Sequence, residues 1–216
     1  MINIMNFVIN NYEKVKLLIN NNKIKIIAVS KSFEYPHIEP LVEYGHKHFG
    51  ENKVQEAKNK WSKVLKNIPD ISLHMIGKLQ SNKAKDAVEL FNYIHSVDSP
   101  KLASILSKYE LILNKKRKYF IQINLGNEKQ KSGISPDALE SFYNYCISDL
   151  NLKIVGLMAI PPKSENVKKH FQYLMELNQG LGLKELSMGM SADFKEALMY
   201  STTFVRIGSA IFGNRD

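Results

Sequence analysis

Ile26-Ile27-Ala28-Val29-Ser30-Lys31 is the stretch that decides how this chain folds. Four small or branched apolar residues run into a serine and a lysine. Such a run reads as a short, fully buried strand whose last residue emerges from the sheet. No acidic residue adjoins Lys31 in sequence. A lysine at the end of a buried strand is costly unless its amine is paired or used covalently. The plain reading is a lysine that snorkels to the surface, as most do. The alternative is a Schiff-base lysine, whose desolvation lowers its pKa and frees its lone pair. The stretch alone leaves both open.

Outward from this strand the chain alternates. Upstream, Met5, Val8, Ile9, Tyr12, Val15 and Leu18 recur at helical spacing, an amphipathic helix over residues 2–20. Downstream, a helix over 36–44 ends at Gly45, followed by a strand at 47–50 and a long helix over 51–67. Strands at 72–76 and 93–97 flank a helix over 81–90. Ser99 and Pro100 open a helix to about residue 113, Pro100 being tolerated in a first turn. Strands at 119–124 and 152–158 flank a helix over 136–148. Helices over 164–180 and 193–200 alternate with strands at 185–188 and 204–207. Eight strands, each followed by a helix or helical turn, argue for parallel strands closed into a barrel. A doubly wound open sheet is the rival, but no G-x-G-x-x-G follows the first strand. The expectation is a single-domain (β/α)8 TIM barrel over residues 1–216 with an extra N-terminal helix.

Composition narrows the classes. With 216 residues, 44% of them hydrophobic, the chain can bury one full core. The single Cys146 excludes an internal disulfide framework and suits a reducing cytoplasm. The first twenty residues lack a signal-peptide pattern, and no apolar run is long enough to span a bilayer. The net charge of +9 permits an anionic ligand or nucleic acid. The lysines are dispersed apart from Lys115-Lys116-Arg117-Lys118, which reads as a solvated loop, so nucleic-acid binding is not expected; nor, without a long apolar run, is a membrane span.

In such a barrel the chemistry sits where strands end. Those ends offer Lys31, Phe49-Gly50-Glu51-Asn52, His74, Gly77, Gln80, Asn82, Asn124, Met158, Ser187-Met188-Gly189-Met190-Ser191 and Arg206-Ile207-Gly208-Ser209. Two ends suit an anion. Gly189 and Ser191 precede a helix that Ser191 could cap, and Gly208-Ser209 opens a final turn. Each is equally an ordinary capped turn; together, facing a strand-end lysine, they suggest a phosphorylated aldehyde. The six histidines show no zinc spacing. His46 and His48, two apart, read as surface or packing residues on one face of a strand. Glu51, Glu56, Asp193 and Glu196 read as solvated helix starts. No G-x-S-x-G is present and Cys146 lies mid-helix, so nucleophilic hydrolysis has little support.

The segments A-V-S-K at 28–31, F-G-E-N-K-V-Q-E at 49–56, H-M-I-G-K-L-Q-S-N-K at 74–83, K-S-G-I at 131–134, G-L-M-A-I-P at 156–161, L-S-M-G-M-S-A-D-F at 186–194 and R-I-G-S-A-I-F-G at 206–213 stand in order along the chain. They closely resemble the pyridoxal phosphate homeostasis protein family. The resemblance implies the alanine racemase N-terminal domain-like barrel and pyridoxal 5′-phosphate held as a Schiff base. It matches Lys31 to the aldimine lysine, Asn52 and Met158 to the pocket lining, Ser191, Gly208 and Ser209 to phosphate contacts, and Arg206 to the arginine near the pyridine nitrogen. One departure is Ser32-Phe33-Glu34-Tyr35-Pro36, where the family commonly has a short basic or Thr-containing turn; this touches the pocket rim.

The implied role is intracellular cofactor homeostasis without catalysis, by a cytoplasmic monomer, with apoenzymes as recipients of the cofactor. The enzyme alternative is an amino-acid racemase. Racemisation needs groups on opposite faces of the cofactor. In alanine racemases a tyrosine from a second domain of a partner subunit serves one face, and a chain ending at Asp216 is expected to lack that domain.

Overall fold

The computed structural model describes the backbone of residues 2–126, 132–162 and 166–213, and side chains from residue 4 onward. Lys131 of K-S-G-I and the expected helix start at Ser164 lie outside these residues. Eight parallel strands close in chain order: β1 Lys25–Val29, β2 His48–Glu51, β3 Ser72–Met75, β4 Tyr93–Val97, β5 Lys118–Gln122, β6 Lys153–Met158, β7 Glu185–Met190 and β8 Phe204–Ile207. Closure is made by β1 on β8, with Lys25 opposite Phe204 and Ala28 opposite Ile207. The helices are α1 Ile2–Ile19, α2 Tyr35–Glu43, α3 Val54–Trp61, α4 Val64–Asn67, α5 Ala84–Leu90, α6 Pro100–Leu113, α7 Leu139–Asn144, α8 Val167–Gly180, α9 Phe194–Ala197 and α10 Ser209–Phe212. The expected (β/α)8 barrel with an extra leading helix is therefore present.

Alternation along each strand creates two cores. Ile27, Val29, Tyr93, Phe120, Met158 and Phe204 cluster inside the barrel. Ala28, Phe49, Leu73, Ile94, Ile121, Leu157 and Val205 face the other way, into the larger core under the helices. Both faces being covered explains the near-continuous apolar run of β1 and the complete burial of β4.

Several boundaries move for local reasons. The expected helix over 51–67 begins later, because Glu51 completes β2, and it breaks into α3 and α4. Ser99 accepts a hydrogen bond from the Leu102 N–H and sets the start of α6. Asn166 caps α8 in the same way through the Lys168 N–H. The helix expected over 136–148 ends in a wide π turn, Tyr145–Asp149, where Cys146 is buried and its thiol pushed up to about 12 by desolvation. In α1, Val8, Val15 and Ile19 are buried but Met5 and Leu18 are exposed. That helix packs mainly against α2 and α10, so a narrower stripe suffices than its sequence offers.

Candidate functional site

β1 delivers Lys31 to the C-terminal mouth through a tight turn. The Ser30 carbonyl accepts from the Phe33 N–H. Ser32 takes a left-handed conformation, φ 65°, and its N–H donates to the Glu56 carboxylate. Phe33 stacks on His37 at 4.7 Å and lies 5.4 Å from the Phe212 ring. The unusual Ser32–Pro36 segment thus builds an aromatic rim, and Phe33 lines the mouth.

Beneath this turn lies a buried carboxylate. Glu51 is fully buried, and its Oε1 accepts from Ser30 Oγ at 2.7 Å, Trp61 Nε1 at 2.9 Å and Lys60 Nζ at 3.0 Å. Lys60 also donates to the Ser30 carbonyl at 2.8 Å. The expectation of a solvated helix-start glutamate is therefore corrected for Glu51. Its place at the end of β2 points it under α3, where Trp61 and Lys60 meet it.

A cavity of about 780 Å³ opens at this mouth, lined by Lys31, Asn52, Ser191, Arg206, Gly208 and Ser209, with Phe33, Ile76 and Ile160 among its apolar walls. Six residues singled out from the sequence thus share one cavity, although Lys31 and Ser209 lie at opposite ends of the chain. Met158 does not join them. It is fully buried inside the barrel with Ile27 and Phe204, because its strand position turns it to the interior.

Arg206 is nearly buried and anchored at both terminal nitrogens. Nη1 donates to the Ser187 carbonyl and to Ser187 Oγ, each at 2.8 Å, and Nη2 donates to the Ala159 carbonyl at 2.9 Å. Among the described residues Nε makes no hydrogen bond. Burial pushes the guanidinium down to about 10, so it remains charged at neutral pH. The buried Asn52 Oδ1 has no partner among the described residues. Gly77 closes in on Asn52 so tightly that a Cβ there would lie 2.5 Å from the Asn52 carbonyl oxygen.

Ser191 plays a different part from the one its sequence suggests. It does not cap α9; Asp193 stands at that position, and its carboxylate accepts from the Met190 N–H at 2.6 Å. Ser191 Oγ instead accepts from the N–H groups of Gly208 at 3.2 Å and Ala210 at 3.5 Å, tying the β7 loop to the β8 loop. Gly189 makes this possible with φ 90° and close contact to Ala197.

His46 and His48 are packing residues, as read, but do not share one strand face. His46 precedes β2 and packs outside the barrel against Tyr12 and Phe49. His48 lies on β2 and contacts His74 inside. Burial lowers both to about 4 and holds His74 and His95 well below the ordinary value; Lys25 and Lys118 add to this at His48. The sign follows: folded values lie below unfolded ones, so the unfolded chain binds more protons between about pH 6.5 and 4. Stability is expected to fall as pH drops through that window, which urea midpoints measured from pH 7 to 4 would read. A flat profile would mean that these imidazoles are solvated.

The fold and site define a parallel (β/α)8 barrel whose C-terminal mouth gathers a strand-end lysine, an arginine and the serines of the β7 and β8 loops. Residues 6–216 match the family model "Alanine racemase, N-terminal domain", and the chain belongs to that family. It is similar to the pyridoxal phosphate homeostasis protein of Aquifex aeolicus, 37% identical over 90% of this chain and 88% of the relative. The Escherichia coli protein of the same name is 35% identical over 90% of this chain and 87% of the relative. Among solved structures, PipY of Synechococcus elongatus with pyridoxal phosphate bound superposes with a TM-score of 0.87 at 33% identity, covering 95% of this chain and all (100%) of that one. Alanine racemase of Clostridium difficile shares the fold, with a TM-score of 0.73 at 15% identity over 98% of this chain and 56% of the racemase.

Proposed function

We propose that this protein holds pyridoxal 5′-phosphate as a Schiff base on Lys31 and serves intracellular homeostasis of that cofactor. The observation that carries this is the convergence of Lys31, Arg206 and the Ser191–Gly208–Ser209 cluster on one cavity. The donor set fits the group. Lys31 would supply the amine and the cofactor the aldehyde, with water as the leaving group. Arg206 would offer Nε–H to a ring nitrogen and disfavour protonation there. Ser191, Ser209 and nearby backbone N–H groups suit a phosphate. Because α10 is only four residues long, direct donors rather than a helix dipole carry that contact. The orphaned Asn52 Oδ1 gives the ring a polar neighbour. Free pyridoxal phosphate reacts with amines, and covalent storage would hold it for apoenzymes that need it. We place the protein in the cytoplasm as a monomer, in keeping with its free buried Cys146; among the described residues no helix is long and apolar enough to cross a membrane.

The direct experiment is a visible absorption titration of purified protein with pyridoxal 5′-phosphate; the absence of any bound band would refute the reading. Ser209→Ala is expected to weaken binding by about 1.5–3 kcal/mol, one hydrogen bond to a charged group. Equal affinity for pyridoxal with and without its phosphate would contradict the phosphate assignment.

The reading excludes efficient racemisation. Among the described residues no tyrosine lines the cavity, and Tyr35, on the turn after Lys31, packs its ring edge-on to Trp61 at 6.2 Å. Lys31 would serve one face, and among the described residues no tyrosine lines the cavity to serve the other. Chiral chromatography of alanine incubated with loaded protein is expected to show interconversion no faster than with free cofactor. Turnover of roughly 1–1000 per second would make the protein an enzyme.

A further inference from the structure

Inside the barrel three imidazoles stand in a row that ends on Arg206. His48 Nδ1 lies 3.0 Å from His74 Nε2, and His74 Nδ1 lies 2.9 Å from His95 Nε2. His95 Nδ1 lies 3.0 Å from Ser187 Oγ, which in turn receives the 2.8 Å bond from Arg206 Nη1. His74, His95 and Ser187 are fully buried. Aromatic rings hold the imidazoles in place: Tyr93 stacks on His74 at 4.4 Å and Phe120 on His95 at 4.2 Å. The outer end of the row, His48, lines a second cavity of about 390 Å³ at the opposite mouth of the barrel, with Lys25 and His46.

Proton accounting gives the row a direction. A guanidinium only donates, so Ser187 Oγ accepts from Arg206. The serine hydrogen then has one described acceptor, His95 Nδ1. A neutral imidazole carries one hydrogen, so that of His95 sits on Nε2 and donates to His74 Nδ1. His74 likewise donates from Nε2 to His48 Nδ1. The opposite polarity would aim two donors at Ser187 Oγ and leave its own buried hydrogen without an acceptor. The low affinity of all three imidazoles for a second proton agrees with a neutral row.

We propose that Ser187 and His95 are positioning residues for Arg206, and that His74 and His48 extend them into a relay of fixed hydrogen-bond polarity from the cofactor cavity to the opposite mouth of the barrel. Its consequence for the ligand rests on the pyridoxal phosphate reading: with Nη1 and Nη2 anchored, Nε would be the nitrogen left to meet the ring. The relay itself is testable without any ligand.

The experiment is two-bond ¹H–¹⁵N correlation NMR on ligand-free protein with ¹⁵N-labelled imidazoles at pH 7. In the wild type, His48, His74 and His95 are expected as neutral Nε2–H tautomers. Ser187→Ala removes the donor that sets the polarity, so His95 moves toward Nδ1–H. His74 and His48 should follow, although Ser187 touches neither through the relay. Ser187→Thr keeps a hydroxyl and should restore the wild-type pattern. A wild-type His95 protonated on Nδ1, or His74 and His48 signals indifferent to Ser187→Ala, would overturn the relay, and the first needs no variant to fold. With pyridoxal 5′-phosphate added, Ser187→Ala should shift the absorption band and weaken binding about tenfold, with Ser187→Thr near wild type. An unchanged band and affinity in Ser187→Ala would overturn the positioning role. Failure of the wild type to bind pyridoxal phosphate would instead sink the proposed function, and the tautomers would still decide the relay.

Discussion

Borohydride reduction of protein loaded with pyridoxal 5′-phosphate is expected to fix the pyridoxyl mass on the peptide that carries Lys31. The chain holds 27 lysines, so an unselective reaction would scatter the label. Selectivity comes from the cavity. Lys31 leaves β1 through a turn held by Glu56 and Phe33, and its cavity also presents Arg206 and the Ser191–Ser209 cluster. Phosphate and ring contacts would hold the aldehyde near one amine, which raises its effective concentration there. Lys31→Ala is expected to abolish the bound visible band altogether while leaving weak, reversible, phosphate-dependent binding. Label on scattered surface lysines, with the Lys31 peptide clean, would refute the assignment.

The second large effect concerns stability. Glu51→Ala is expected to cost about 3–5 kcal/mol, the usual penalty for breaking a buried ion pair. The Lys60 side chain is only 6% exposed and would lose its buried carboxylate partner, and Trp61 Nε1 would lose its acceptor. For a chain of this size each kcal/mol lowers Tm by roughly 2–4 °C, so a fall on the order of 6–20 °C is expected in a thermal scan. Loss of the pair removes a charge partner but does not require charge as such. The double variant Glu51→Leu with Lys60→Met should therefore recover much of the loss, since apolar replacement of a buried pair is often neutral. A Glu51→Ala protein melting within a degree of wild type would show that water reaches Lys60 freely. Because Glu51 and Lys60 both bond Ser30, the single variant should also loosen the turn that aims Lys31.

What was legible in the chain follows from how local periodicity works. Alternation of short apolar runs with helical stretches gave the (β/α)8 order, since each unit announces itself within a dozen residues. Strand ends gave Lys31, Asn52, Ser191, Arg206, Gly208 and Ser209, because a barrel gathers those ends whatever lies between them. The resemblance then supplied a chemistry for a place already located.

Other features were decided by pairs far apart in sequence. His48 meets His74 across 26 positions, and His95 meets Ser187 across 92. No window of sequence contains both partners, so His48 reads as a surface or packing residue, His74 as a strand-end residue, and nothing joins them to His95 until β2, β3, β4 and β7 face a common interior. Glu51 follows the same logic: only the packing of α3 over β2 brings Lys60 and Trp61 onto its carboxylate and makes its burial tolerable. Ser191 has the composition of a helix cap, and only the approach of the β8 loop turns its oxygen to Gly208 instead. Met158 shows the limit of reasoning from strand ends alone. Whether the last residue of a strand meets ligand or core depends on which way the closed barrel turns it, and here it turns inward. The sequence by itself determined the order of elements and the mouth at which they gather. The tertiary structure decided which side chains share a hydrogen, because that depends on register between strands rather than on spacing along one.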